Sequence, residues 1–430
     1  MRALVLSWEY PPLVYGGLGR HVHAVCEGLA RAGHAVTVVT QHAPGADYDE
    51  VVHGVRVVRV AEDPPLLTLG DDLLAWVLAL GHRLTRAALR VAEEGAAAGA
   101  PFEVVHAHDW LVAHPATTLK EHLRVPLVAT VHATEAGRHQ GWLPTALSRT
   151  VHTTEWWLTW EARRVITCSA AMREEVRRLF DLPADKVDVI PNGVDARAWV
   201  RPRAASPLAT GGGPLVVFAG RLEYEKGVHT LLAAVPRLRR RHPGLRVVVA
   251  GTGTHAETLR AQSRRLRLGR SLLFAGHLDQ PATAALLHAA DAAVVPSIYE
   301  PFGIVALEAA VAGAPLAVAA TGGLRETVES GVTGEVFAAG DPEALADAVS
   351  ALLGDQVRAR RLARAARVRA LREHDWDALA VRTAAVWARA VQEERALLAA
   401  LSAGQVGGVR PPLRVVVGDG NLLGGDAGPA

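Results

Sequence analysis

The sequence predicts an α/β protein of two Rossmann-like domains in tandem, with parallel sheets facing a central cleft and helices on both faces of each sheet. Three observations carry this. Short β-branched runs alternate with helical periodicity through residues 1–200. The same alternation restarts after a stretch rich in Gly, Pro, Ala and Ser. The chain also has 430 residues, half of them hydrophobic and 21% charged, which is too many for one ordinary core.

Taken in order, Arg2–Ser7 reads as a strand, the stretch from Gly19 to Ala32 as a helix stopped by Gly33, and Ala35–Thr40 as a second strand. Further strands are expected at Val55–Val60, Val104–Ala107, Leu127–Val131, Arg164–Cys168 and Val187–Pro191. Helical patterns at Asp71–Glu94 and Leu147–Arg163 separate some of them. Arg201 to Pro214 reads as a linker. The second series has strands at Leu215–Ala219, Arg246–Ala250, Ser271–Ala275, Ala292–Pro296, Leu316–Ala320 and Glu335–Phe337. The expected division is 1–200 as one Rossmann-like domain and 201–374 as a second. A helix over 375–400 then packs back toward the first domain, and 401–430 form a mostly disordered tail, apart from a strand-like run at Leu413–Val417.

Bulk composition narrows the function classes. Lys+Arg 46 against Asp+Glu 44 leaves a net charge of +2, so nothing electrostatic favours a nucleic-acid partner. Two cysteines, Cys26 and Cys168, make no disulfide framework and fit a reducing compartment. The apolar run Ala3 to Leu6 is too short for a secretory signal, and no segment approaches the roughly 20 apolar residues of a membrane span. A cytoplasmic protein without stable membrane insertion is expected. The only lysines are Lys120, Lys186 and Lys226, which makes each a candidate for a position where a compact ammonium matters.

The strongest motif is Glu300-Pro301-Phe302-Gly303-Ile304-Val305-Ala306-Leu307-Glu308, directly after a predicted strand. A helix starting near Ile304 aims the amides around Gly303, Ile304 and Val305, with the positive end of its dipole, at a phosphate. Glu300 before the helix and Glu308 inside it can accept hydrogen bonds from the hydroxyls of one nucleotide sugar. The competing reading is a solvated helix with ordinary acids. The second motif, Gly220-Arg221-Leu222-Glu223-Tyr224-Glu225-Lys226-Gly227, puts two cations at the mouth of a sheet, where they suit a diphosphate without a metal. Its rival is a surface ion-pair network with Glu223 or Glu225. Gly16-Gly17-Leu18-Gly19 follows the first strand and reads as an anion nest.

Both strong motifs occur in this order in one domain, and here the chain resembles the retaining glycosyltransferases of family 4, which have the GT-B fold. The resemblance runs from Met1 to about Ala390 and implies an acceptor-binding domain at 1–200 and a nucleotide-sugar-binding domain at 201–374. It implies that Arg221 and Lys226 bind the donor diphosphate, that Glu300 contacts the transferred sugar and that Glu308 holds the ribose. Thr321-Gly322-Gly323-Leu324 matches a loop whose backbone approaches the donor. His132 matches a histidine near the reacting sugar, and Asp109 an acid close to the sugar in starch and glycogen synthases. One departure stands out: the glycogen-synthase branch has Lys-Thr-Gly-Gly-Leu where this chain has Val14-Tyr15-Gly16-Gly17-Leu18. Four stretches are similar to actinobacterial α-1,4-glucosyltransferases of the glycogen and methylglucose-polysaccharide type. They are Ser7–Pro12, Gly17–His23, His108–Pro115 and His132–His139. The resemblance implies ADP-glucose or UDP-glucose as donor, a glucan or oligosaccharide acceptor, no cofactor and no metal.

Weaker signals are read conservatively. His106, His108, Asp109 and His114 lack the spacing of zinc ligands. Gly251-Thr252-Gly253-Thr254-His255-Ala256 fits a loose dinucleotide fingerprint and is better read as a structural turn. Trp156, Trp157 and Trp160 have helical spacing and read as core, whereas Trp142, near Arg138, is the better acceptor candidate together with Tyr15. The arginines from Arg358 to Arg372 read as a solvated helix rather than a membrane-binding face, which leaves peripheral membrane association open. Rival functions are a hexosyltransferase using GDP-mannose or a lipid or sugar-phosphate acceptor, a nucleotide-sugar epimerase, a dinucleotide-dependent oxidoreductase and a non-catalytic sensor. The oligomeric state is left open.

Overall fold

The computed structural model describes residues 1–61, 72–200 and 205–403. The run Leu413–Val417, the rest of the tail, and the start of the linker at 201–204 lie outside the described residues. The chain forms two compact units. The first comprises Met1–Cys168, Arg173–Ile190 and the chain from Trp376 onward, and the second comprises Ser169–Met172 and Pro191–Asp375. The division after Ile190, rather than at residue 200, has a local cause. Val194 N donates to the His374 carbonyl at 3.0 Å, and His374 Nδ1 lies 2.8 Å from the Asn192 carbonyl. These bonds tie residues 191–194 to the end of the second unit.

The first unit holds an eight-stranded sheet. Its strands are β1 (Arg2–Leu6), β2 (Ala35–Gln41), β3 (Asp49–Val52), β4 (Val55–Val60), β5 (Val104–His108), β6 (Leu127–Val131), β7 (Arg164–Thr167) and β8 (Val187–Val189), in the order β3-β4-β2-β1-β5-β6-β7-β8. All neighbours are parallel except β3 and β4. The sheet departs here from the purely parallel arrangement that the sequence predicts. Two residues, His53 and Gly54, join β3 to β4, and so short a link permits only an antiparallel pair. Both have positive φ, 48° and 84°, as a type I′ turn requires. The acidic start of β3 hides it in the sequence but suits an edge strand. In the centre, Ala3, Leu4, Val5 and Leu6 are fully buried, which explains the uninterrupted apolar run of β1.

The helix Trp376–Ser402 completes this core. Trp387 has no exposed surface, and its Nε1 donates to His106 Nδ1 at 3.2 Å. Glu394 receives Arg163 at 2.6 Å and Glu393 receives Arg164 at 3.1 Å.

The second unit holds six parallel strands, β9 (Leu215–Ala219), β10 (Arg246–Ala250), β11 (Leu272–Gly276), β12 (Ala292–Val295), β13 (Leu316–Ala319) and β14 (Glu335–Phe337), in the order β11-β10-β9-β12-β13-β14. The helices Val228–Arg241 and Pro342–Gly354 cover the sheet with Leu231, Leu238, Leu345 and Val349, all buried. The arginine-rich segment is a helix, Gln356–Glu373, and only partly solvated. Ala359, Leu362, Ala363, Ala366 and Ala370 form a buried stripe while Arg360, Arg361 and Arg364 face out. Among the described residues no helix is long and apolar enough to cross a membrane.

In each sheet one central strand has neighbours that run off in opposite directions, β1 between β2 and β5, and β9 between β10 and β12. Loops leaving the carboxyl ends of such strands form the natural ligand crevice of an open α/β sheet.

Candidate active site

In the second unit the two strongest motifs meet. Lys226, on the loop after β9, donates its Nζ to Glu300 Oε2 at 2.8 Å, across 74 residues of sequence. Ser297 Oγ donates to the same oxygen at 3.0 Å. The backbones are joined as well, since Ile298 N donates to the Glu225 carbonyl at 2.9 Å. Gly227 makes this approach possible. Its φ is 67°, and a Cβ there would stand 1.9 Å from the Pro296 carbonyl oxygen.

The loop after β13 closes against the same place. Gly323 N donates to the Glu300 carbonyl at 3.0 Å, and Thr321 Oγ1 to the Ile298 carbonyl at 3.1 Å. A Cβ on Gly322, whose φ is 43°, would lie 2.1 Å from the Glu300 carbonyl oxygen. Three loops, from β9, β12 and β13, therefore fix one another through Glu300. The helix Ile304–Ala312 starts just beyond, with Gly303 as its N-cap at φ 100°. Glu308 lies inside that helix and is buried. Arg221 is exposed and 3.4 Å from Glu225, so its guanidinium stands at the solvent side of the same loop.

The turn Gly251–Ala256 is tied into this assembly by backbone bonds. Leu222 N donates to the Thr252 carbonyl and His255 N to the Leu222 carbonyl, both at 2.8 Å. These bonds account for the turn as a brace for the Arg221 loop.

In the first unit the loops after β1, β5 and β6 supply the candidate residues. Asp109, just beyond β5, has φ 61° and accepts from the His132 amide at 2.7 Å through Oδ1. His132 Nε2 lies 3.1 Å from His108 Nδ1, and its ring meets His21 edge-on at 4.7 Å. Burial drives His108 down and holds His106 and His132 down at about 3, so these imidazoles are neutral at pH 7. Burial has the opposite effect on an acid: it raises Asp109 to about 7, although the His132 amide and Arg138 pull it down.

The three imidazoles of His21, His108 and His132 are the convergent histidine set, with one nitrogen of each within 4.8 Å of the others. The grouping of His106, His108, Asp109 and His114 does not form. His106 turns to Thr130 Oγ1 at 2.8 Å and to Trp387, and His114 packs on Trp157 at 4.9 Å.

The glycine turn after β1 is occupied from within. Glu9 Oε2 accepts from the amides of Tyr15, Gly16 and Gly19 at 2.9, 3.1 and 3.3 Å. The nest is thus bound to the protein's own carboxylate, where the sequence predicts a phosphate beside Gly16, Gly17 and Gly19. Burial raises Glu9 above its ordinary value, and the three amides pull it back. Glu155 is a second acid that sequence reasoning missed. Its Oε1 accepts from the Glu135 amide at 2.9 Å, and burial raises it well above the usual carboxylate range. It anchors the one-turn helix Glu135–Arg138, which displays Arg138 at the surface.

Among aromatic residues, Tyr15 and Trp142 are both about half exposed, and Tyr15 stacks on Trp8 with centroids 5.2 Å apart. The tryptophans of the helix Ala146–Glu161 are not core. Trp156 and Trp157 are half-buried, while Trp160 is exposed and lies beneath the Lys186 ammonium. Helical spacing does gather them on one side of the helix, but that side is only partly covered.

Residues 15–198 match the family described as Glycosyltransferase Family 4, and residues 203–369 match Glycosyl transferases group 1. The chain is 51% identical over 401 residues to a glycogen synthase of Mycobacterium tuberculosis, covering 92% of this chain and 96% of that protein. It is 31% identical over 413 residues to an alpha-maltose-1-phosphate synthase of the same organism, covering 89% and 98%. The solved sucrose-phosphate synthase from Thermosynechococcus elongatus shares the fold with a TM-score of 0.76 at 24% identity, covering 93% of this chain and 99% of that one. With its two Rossmann-like units and both sequence matches, the chain belongs to glycosyltransferase family 4: it is a GT-B enzyme and a hexosyltransferase.

Proposed function

We propose that the enzyme moves glucose from ADP-glucose or UDP-glucose onto an α-1,4-glucan or a related oligosaccharide, with retention of configuration and without a metal. The observation that carries this reading is the Lys226–Glu300 pair at 2.8 Å beside the helix start at Ile304. It sets an ammonium, a carboxylate and a helix N-terminus on adjoining loops, which is what a sugar linked to a diphosphate requires. Identity to a glycogen synthase over nearly the whole chain supports glucose and a glucan.

In this mechanism Lys226, Arg221 and the amides at Gly303, Ile304 and Val305 stabilise charge growing on the departing diphosphate. Glu300 holds the transferred sugar and orients Lys226. Glu308 takes the ribose, and the Thr321–Gly323 loop passes its backbone along the donor. In the first unit, neutral His132 donates a hydrogen bond to the sugar, and Asp109 fixes the His132 backbone. Tyr15, Arg138 and Trp142 offer faces and a charge to the acceptor.

The test is nucleoside-diphosphate release from ADP-glucose, UDP-glucose and GDP-mannose, with and without maltooligosaccharides, in EDTA. Acceptor-dependent release from a glucose donor with chain lengthening is the expected result. Turnover that requires glucose 1-phosphate or a lipid acceptor discards the glucan, and release only from GDP-mannose discards glucose. Loss of activity in EDTA discards metal independence. Conversion of the nucleotide sugar without acceptor points to an epimerase.

A further inference from the structure

A second cluster of ligating side chains lies away from the loops of the candidate site. His23 and Glu27 sit four residues apart on one face of the helix Gly17–Arg31, and His53 sits in the turn between β3 and β4. His23 Nε2 is 3.0 Å and His53 Nδ1 2.5 Å from the same atom, Glu27 Oε1. One ligand atom from each residue lies within 4.8 Å of the other two. We propose that His23, Glu27 and His53 form a surface site for a borderline divalent transition metal, zinc above all, which clamps the β3–β4 hairpin onto this helix.

The chemistry of the donors selects the ion. Two imidazole nitrogens and one carboxylate oxygen are a familiar zinc ligand set, whereas magnesium and calcium favour oxygen ligands. A tetrahedral ion with bonds of about 2.1 Å spaces its donors roughly 3.4 Å apart. The His23–Glu27 separation is already near that value. His53, 71% exposed at its side chain, has room to withdraw by the remaining distance. Its exposure also leaves the fourth coordination position open to water.

The surroundings hold the ligands in place. Tyr10 packs edge-on against the His23 ring at 5.5 Å. Arg31 stands 3.6 Å from the other carboxylate oxygen, Glu27 Oε2, and is itself held by Asp377 at 2.7 Å, so Oε1 remains directed at the histidines. Outer partners of this kind orient metal-binding carboxylates. The turn residues His53 and Gly54 have defined positive φ and join paired strands, so His53 is presented from a fixed backbone.

The rival is a pair of His–Glu hydrogen bonds with no ion, and the experiment separates the two. Full-length protein stripped with EDTA is titrated with Zn2+ by calorimetry at neutral pH, and with Co2+ by visible absorption. Thermal midpoints are recorded with and without Zn2+. The wild type is compared with His53→Ala and His23→Ala. His53→Ala removes an exposed side chain, and its metal-free midpoint is expected to match the wild type. The expected result is that one equivalent of zinc raises the wild-type midpoint, and that each variant weakens this binding by about tenfold or more. Failure of the wild type to take up zinc overturns the proposal. So does zinc binding that both variants retain, because the ion would then sit elsewhere, for example at His21, His108 and His132. Glycosyl transfer is not the readout, so either outcome leaves the proposed reaction to its own test.

Discussion

Asp109 offers a perturbation whose size follows from the structure. Its carboxyl titrates at about 7 in the fold against an ordinary value of 3.8, chiefly because burial disfavours the ionised form. A raised acid contributes stability below its unfolded pKa and loses it as pH climbs through the folded one. A tenfold change in an ionisation constant corresponds to about 1.4 kcal/mol, so ionised Asp109 costs the fold up to roughly 4 kcal/mol above neutral pH. Residual solvent exposure reduces this to about 2–4 kcal/mol. Asp109→Asn keeps an oxygen for the His132 amide and removes the charge. For a unit of this size the variant should therefore melt on the order of 10 °C higher at about pH 8. The advantage should vanish near pH 4, where both side chains are neutral. Thermal unfolding of both proteins across this range is the assay, and their difference isolates Asp109 from the other titrating groups. The same variant keeps the acceptor that fixes the His132 backbone, so any loss of turnover reports on the charge itself. Parallel pH profiles for variant and wild type would refute the assignment of a raised pKa.

Three further outcomes are expected. Lys226→Ala should lower kcat about 100- to 1000-fold, as for loss of one charge-stabilising donor, and steady-state kinetics decide it. Gly322→Ala should destabilise the second unit by about 2 kcal/mol or more and weaken nucleotide binding, since its Cβ meets the Glu300 carbonyl at 2.1 Å; urea unfolding and nucleotide calorimetry check both. Trp142→Ala should raise the acceptor KM roughly 2- to 12-fold, the worth of one aromatic contact, and leave donor hydrolysis unchanged.

The strands were legible because buried parallel strands are short apolar runs bounded by polar turns, as at β1 and β9. The candidate-site loops were legible for the same reason, since Asp109, His132, Lys226 and Glu300 each follow such a run. What sequence spacing left out was convergence. Nothing in the order of residues says that Lys226 reaches Glu300, because the two loops are brought together only by β9 pairing with β12. Glu9 was hidden differently: a carboxylate seven residues before a glycine turn has no periodic signature, yet it takes three of the turn's amides. The edge strand β3 escaped because its acids mask the apolar alternation. The tryptophans of the helix Ala146–Glu161 misled because helical spacing identifies a face without saying what covers it.

The discontinuous first unit also orders events during synthesis. Its core lacks Trp387 until the helix beginning at Trp376 has been made, 186 residues after Ile190. At roughly 5–20 residues per second, that is about 10–40 s in which the leading β-strands wait with an open face. The second unit, nearly contiguous, has all its strands before that helix emerges. The domain that begins the chain is therefore the one that finishes last, and His106, with its indole partner still to come, is held at the exposed edge of that delay.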